Sequence, residues 1–112
     1  GALEAAQRAA DFAKNSQAPA TRFEVRTAEA RVRATSGQAE DRAAASAALD
    51  AVRAEARQAG FLREAFEASL ALAGLELAAG HGDAGRALLE ELRKQAAVQG
   101  FALIARKAAA TP

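Results

Sequence analysis

An internal repeat of about forty residues constrains the fold of this chain more than any other sequence feature. Phe23-Glu24 recurs as Phe66-Glu67 after a shift of 43 residues, and beyond the next inter-helix loop the shift becomes 40 residues. The three-residue difference falls in that loop, where changes of length are tolerated. Such self-similarity predicts stacked supersecondary units, because one unit cannot bury its apolar face alone. At the shift of 40, Leu49, Val52, Arg53, Ala56, Gly60 and Phe61 correspond to Leu89, Leu92, Arg93, Ala96, Gly100 and Phe101.

Composition predicts that each unit is helical. Roughly a third of the residues are Ala, and Ala, Leu, Arg, Glu and Gln, all strong helix formers, dominate the chain. No segment has the pattern of a β-strand, and glycines at intervals are natural helix stops. Six helices are therefore predicted, at residues 3–14, 20–36, 38–59 and 61–80, after Gly82 with Asp83 as N-cap and Gly100 as the stop, and at 101–110.

The predicted helix at 61–80 organises the rest. Its Phe and Leu residues point in several directions around a helical wheel, so we expect neighbours to bury it on more than one side. The helix at 20–36 has two apolar stripes separated by polar ones, which predicts a helix between two others. The helix at 38–59 has one apolar stripe, formed by Ala45, Ala48, Leu49, Val52, Ala56 and Ala59.

These features predict an all-α fold, an α-solenoid of five to six helices in stacked antiparallel hairpins. One domain covers 1–112, with a half repeat at 1–19, repeats at 20–60 and 61–100, and a capping helix at 101–112. The pattern begins partway through a unit, so we expect a fragment of a longer, bacterial protein. The sequence resembles the tetratricopeptide-like family of helical repeats, and residues 82–90 resemble that family's turn into its second helix. The resemblance implies a module that binds peptides or proteins.

Charge and composition argue against several classes of partner. Fifteen basic and fourteen acidic residues give a net charge of +1, too balanced to predict binding to nucleic acid or membranes through bulk electrostatics. The absence of Cys excludes disulfides and thiol catalysis. No export leader and no run of 18 apolar residues is visible, which favours a cytoplasmic location.

No catalytic, cofactor-binding or metal-binding residues are predicted, and we expect a protein without enzymatic activity. Residues 80–85 fit the glycine pattern G-x-G-x-x-G, but a dinucleotide site needs a preceding strand, and here a helix precedes. His81 is the only His, and with Asp83 it would supply just two metal ligands from one loop. Without a second His or any Cys, the serines lack a base to activate them.

A polar stripe on the helix at 20–36, with its repeat-related positions on the helix at 61–80, is the candidate partner-binding groove. Arg side chains suit the carboxylates of an acidic peptide. The leading hypothesis is therefore a non-catalytic protein-interaction module or scaffold. Alternatives are a ligand-sensing helical domain of a transcriptional regulator or kinase, and a structural bundle that forms homodimers through its two terminal helices, the last of which carries Leu103 and Ile104. The predicted groove residues are Arg22, Arg26, Glu29, Arg33, Ser69, Leu72 and Glu76.

Overall fold

The computed structural model describes residues 2–5 and 18–111. The described residues are helical apart from short turns, with no strand among them, which confirms the all-helical class. Of the helix predicted at 3–14, only residues 3–5 are described, and they are helical; the rest lies outside the described residues. The other five helices begin and end within two residues of their predicted bounds. They are α1 Pro19–Ala34, α2 Ala39–Gln58, α3 Leu62–Ala78, α4 Gly82–Val98 and α5 Ala102–Ala110.

Three of the four turns between these helices share one geometry. Each helix ends before a glycine in the left-handed region, with φ between 83° and 87°, where only glycine avoids a steric penalty. The next residue's N–H donates to the carbonyl five residues back, at 2.8–2.9 Å, which satisfies a carbonyl at the helix end. The turn at Gly37 differs, because Gln38 continues in extended backbone. The three equivalent glycines are Gly60, Gly80 and Gly100.

Consecutive helices pack against each other along the chain, and α3 lies at the centre. It contacts the other four helices, which is the burial on several sides that its apolar composition predicts. In addition, α1 touches α3 and α3 touches α5. We call the side on which these three helices meet the inner side, and the side that carries α2 and α4 the outer side.

The buried residues of α2 and α4 recur in one register. Four positions of each helix are buried, and each position on α4 lies 40 residues after its counterpart on α2. Ala48 and Ala59, which the sequence also assigns to the apolar stripe of α2, are exposed. The buried sets are Ala45, Leu49, Val52 and Ala56 on α2, and Gly85, Leu89, Leu92 and Ala96 on α4.

Two aromatic pairs occupy repeat-related positions. The ring centroids of Phe23 and Phe61 are 5.7 Å apart, and those of Phe66 and Phe101 are 5.4 Å apart. Phe66 lies 43 residues after Phe23, and Phe101 lies 40 residues after Phe61, so both members follow the shifts of the repeat. Each pair joins an odd-numbered helix to the start of the next odd-numbered helix, through a tilted or edge-to-face contact.

Candidate functional site

A groove between α1 and α3 runs along the inner side, and we call it the inner groove. One half is polar, with a volume of about 240 Å³. Glu67 of this half also pairs with Lys107 of α5, with 3.6 Å between the carboxylate and ammonium groups, so charges of both signs are present. This half therefore carries no strong preference for one sign of charge. It is lined by Glu24, Thr27, Ala28, Arg31, Arg63, Glu64 and Glu67.

The other half of the inner groove is apolar, with a volume of about 420 Å³. Small residues of α3 form its floor, and a Cβ atom added at Gly74 would meet no atom within 4 Å. Its only ionisable lining residues are Arg31, which both halves share, and Arg42. This half is therefore an open apolar surface with a basic rim. It is lined by Arg31, Ala34, Thr35, Arg42, Leu70, Ala71, Gly74, Leu75 and Ala78.

The two rim arginines differ in what they bind. Arg42 donates from Nη1 to the carbonyl of Gly37, at 3.0 Å, and so links the start of α2 to the turn that follows α1. Arg31 is exposed and forms no salt bridge within the described part of the chain. Arg31 can therefore accept an anionic group without first breaking an ion pair.

A second depression lies on the outer side, between α2 and α4, and we call it the outer cleft. Its volume is about 610 Å³. Ser69 of α3 lies at its floor, and because Ser69 is two residues from Glu67 it lies on the opposite face of α3 from the inner groove. The cleft is lined by Asp50, Arg53, Ala54, Arg57, Gln58, Ser69, Leu88, Glu91, Leu92 and Gln95.

The sequence-predicted groove residues on α1 do not share one open surface. The guanidinium of Arg26 forms two hydrogen bonds with the carboxylate of Glu55, at 2.8 and 3.1 Å, and Arg33 binds Asp41 at 3.1 Å. Both contacts fasten α1 to α2. Of the other two members on this helix, Arg22 is half-buried and Glu29 is exposed.

The predicted residues on α3 are more enclosed. Ser69 is buried, and its hydroxyl donates to the carbonyl of Ala65 at 3.0 Å. Leu72 belongs to a core cluster and is 7% exposed. Glu76 is half-buried, with its carboxylate 2.9 Å from Nδ1 of His81. Of these three, Ser69 lines the outer cleft, whereas Leu72 and Glu76 line neither the outer cleft nor the inner groove.

The inner-groove residues Glu24, Arg31, Glu67 and Gly74 were not among the groove residues that the sequence predicted, although Glu24 and Glu67 mark the repeat. A signal for them does exist, because Glu24 and Arg31 lie 43 residues before Glu67 and Gly74. A glycine inside a helix that is not a stop also indicates a close approach or an open surface. Alanine at the neighbouring positions hides that signal, since it suits buried and exposed sites equally.

Hydrogen bonds and ion pairs lower the pKa of several carboxyl groups. The hydrogen bond from Arg26, with its positive charge, lowers the pKa of Glu55. The hydroxyl of Ser36 and then the guanidinium of Arg33 lower the pKa of Asp41. Arg93 does the same for Glu90 within α4. A carboxyl with a depressed folded-state pKa contributes stability above its unfolded-state pKa, and that stability is lost as the pH falls.

We expect acid to weaken the attachment of α1 to α2. Stability should be constant above the ordinary pKa range of Glu and Asp and should decrease as the pH falls through it towards the lower folded-state values. Arg26→Gln should flatten this pH dependence, because Glu55 then loses the partner that depresses its pKa. Urea unfolding followed by circular dichroism across this pH range measures the effect. Arg106→Gln is the control, and equal pH profiles for both variants would contradict the assignment to Glu55.

Residues of the glycine pattern at 80–85 form the turn and first residues that join α3 to α4. His81 contacts Glu76, whereas Asp83 is paired with Arg86 at 3.0 Å, so the two do not converge. No group of three or more His, Cys, Asp or Glu side chains suited to a metal occurs in the described ranges. None of the described helices combines the length and the apolar character that crossing a membrane requires.

The two apolar residues of the predicted dimer contact lie in different environments. Ile104 is buried in a core cluster with Phe66, whereas Leu103 is 56% exposed. Of these two residues, Leu103 alone presents apolar surface, and self-association through the terminal helices stays a prediction.

Comparison with known proteins adds no relative to this description. No family model, curated protein or solved structure matches the chain.

Proposed function

We propose that this chain is a stacked-hairpin α-solenoid of the tetratricopeptide-like kind and acts as a non-catalytic protein-interaction module. The recurrence of buried positions on α2 and α4, of three turns and of two phenylalanine pairs supports this arrangement. Contacts between successive odd-numbered helices support it too, since stacked hairpins bring such helices together.

The dimensions agree with a stack. The radius of gyration is 15.2 Å, against about 13 Å for a compact domain of about 100 residues. An elongated array exposes long surfaces between its helices, and these suit the binding of an extended or helical segment.

The observation that carries the proposal is the apolar half of the inner groove with its basic rim. Small side chains at Ala71, Gly74 and Ala78 leave space for a partner's side chains. Arg31 and Arg42 are the only charged lining residues, and both favour an acidic group on the partner. We infer that the module binds a short segment with apolar side chains and a carboxylate, held against α1 and α3.

Selection from a random peptide library displayed on phage tests this proposal. We expect enriched peptides that combine apolar and acidic residues, with affinities measured by fluorescence anisotropy. Arg31→Glu should weaken their binding by about tenfold or more, because it replaces attraction with repulsion, a change worth about 1.4 kcal/mol or more. Gly74→Leu should weaken it as well by filling the floor.

Arg106→Glu provides a matched control, since it reverses an exposed charge on α5 outside the groove. This control variant should bind the selected peptides like the wild type. Failure to enrich any peptide, or enriched peptides whose affinity is insensitive to both groove variants, would refute the inner groove as the binding surface.

A further inference from the structure

Arg26, which lies in the first repeat, links two helices through its side chain. Its guanidinium leaves α1, lies 5.9 Å from the ring centroid of Phe23, and forms a two-bond contact with the carboxylate of Glu55 on α2. The planar fork of arginine matches a carboxylate in this geometry, so the contact is specific as well as attractive. In the first repeat, this site between an odd and an even helix is therefore filled by the chain itself.

The second repeat has the same site without the ion pair. A shift of 43 residues takes Phe23 and Arg26 to Phe66 and Ser69, and a shift of 40 takes Glu55 to Gln95. The short Ser69 side chain turns back to the carbonyl of Ala65, so it does not bridge the two helices. The outer cleft opens at this point, over Ser69 and beside Gln95.

We propose that the outer cleft receives an arginine side chain from a partner protein, in the place that Arg26 occupies in the first repeat. A carboxylate is still available, one turn earlier on α4. Nε2 of Gln95 donates to the carboxylate of Glu91 at 2.8 Å, which aligns an anion and an amide oxygen along one wall. A guanidinium can bind both, since its donors form a rigid fork.

The other charged residues of the cleft do not prevent the binding of this cation. Asp50 and Arg53 are paired within α2, so they offset each other. Arg57 donates to Oε1 of Gln95 across a long 3.4 Å contact from an exposed position, and so uses the same acceptor weakly. Arg57 is therefore a competitor of the incoming arginine. If the cleft instead bound a carboxylate, Arg57 would be the receptor of that group.

Two titrations at constant ionic strength distinguish a site for an arginine from a site for a carboxylate. One uses N-acetyl-arginine amide and the other uses N-acetyl-glutamate amide. We expect the arginine probe to shift the amide resonances of Ser69, Leu92 and Gln95, measured by nitrogen-edited NMR on the full chain. The glutamate probe should leave them unchanged. Absence of shifts at these residues with the arginine probe would overturn the proposal.

Two single variants should change the affinity in opposite directions. Glu91→Gln should weaken binding of the arginine probe by about fivefold, since it removes one exposed charge partner. Arg57→Ala should tighten it by about twofold or more, because it removes the competing cation. Weaker arginine binding in Arg57→Ala, or binding of the glutamate probe, would show an anion site and overturn the proposal. Glu40→Gln, exposed and outside the cleft, should have no effect.

A double variant transfers the internal ion pair to the second repeat. Ser69→Arg with Gln95→Glu should fill the cleft and abolish the chemical-shift changes from the arginine probe, with the helical circular dichroism retained. If this double variant does not fold, the single variants Glu91→Gln and Arg57→Ala, both at exposed positions, still test the proposal. Peptides selected for the inner groove should still bind the filled variant, so the failure of one site is distinguishable from the failure of the other.

Discussion

Replacing Phe66 with alanine is expected to destabilise the protein by about 3–5 kcal/mol, the range for truncating a buried aromatic side chain. Phe66 is 3% exposed and packs within the core formed by α3, α4 and α5. Phe23→Ala, the same change at the repeat-related position, should cost only about 1–2 kcal/mol, because Phe23 is half-buried and less apolar surface is removed from water. Urea unfolding monitored by circular dichroism measures both values.

The phenylalanine pairs allow a sharper test of the same argument. A double-mutant cycle of Phe66 and Phe101 should give a coupling energy of about 0.5–1.5 kcal/mol, as edge-to-face aromatic pairs do. Phe66→Leu replaces Phe66→Ala in the cycle if the alanine variant is already unfolded in buffer. A larger loss from Phe23→Ala than from Phe66→Ala would mean that the core does not centre on α3.

The helices and their ends could be predicted from the sequence because local signals determine them. Gly60, Gly80 and Gly100 end helices at positions where only a left-handed conformation closes the turn. A glycine at such a position is a local signal that the sequence shows directly. The central place of α3 was also predictable, since its Leu and Phe residues surround the helix. Leu49 and Val52 are fully buried, as the single stripe of α2 requires.

The orientation of each helix about its own axis was harder to predict, because alanine dominates the pattern. Alanine forms helices well wherever it lies, so it specifies a helix without specifying which face is buried. One of the two apolar stripes that the sequence predicts for α1 consists of Val25, Ala28 and Val32, yet Ala28 and Val32 are both exposed. The helix predicted at 3–14, which would precede them, is described only at residues 3–5.

The candidate site depends on that orientation and on contacts between distant residues. A helical wheel shows Arg26 and Arg33 on a polar stripe but gives no information about Glu55 or Asp41 across the interface. Such pairs between helices follow from the rotation of α1 against α2, which a single sequence does not specify. The repeat gives better information about which face of α1 is turned towards its neighbours. It relates Arg26 to the buried Ser69, on a helix whose burial was predictable.

Alanine substitutions at two glycines inside helices are expected to have opposite effects. Gly74→Ala should stabilise the protein by about 0.5–1 kcal/mol, because the added methyl group meets no atom within 4 Å and alanine is the better helix former. Gly85→Ala should destabilise it by about 1–2 kcal/mol despite the same gain in helix propensity, since overpacking dominates there. The new Cβ would lie 2.7 Å from Cγ of Leu77 and 3.3 Å from the carbonyl oxygen of Ala73.

The first repeat shows how this clash can be removed. A shift of 43 residues relates Leu77 to Ala34, and a shift of 40 relates Gly85 to Ala45. The first repeat therefore pairs two small side chains at this contact, whereas the second pairs a large side chain with a glycine. The double variant Gly85→Ala with Leu77→Ala should therefore lose less stability than the sum of the single variants, by about 1 kcal/mol or more. Thermal and urea unfolding of the four proteins complete the cycle. Stabilisation by Gly85→Ala equal to that by Gly74→Ala would show that α3 and α4 are not held at the close distance at which only glycine fits.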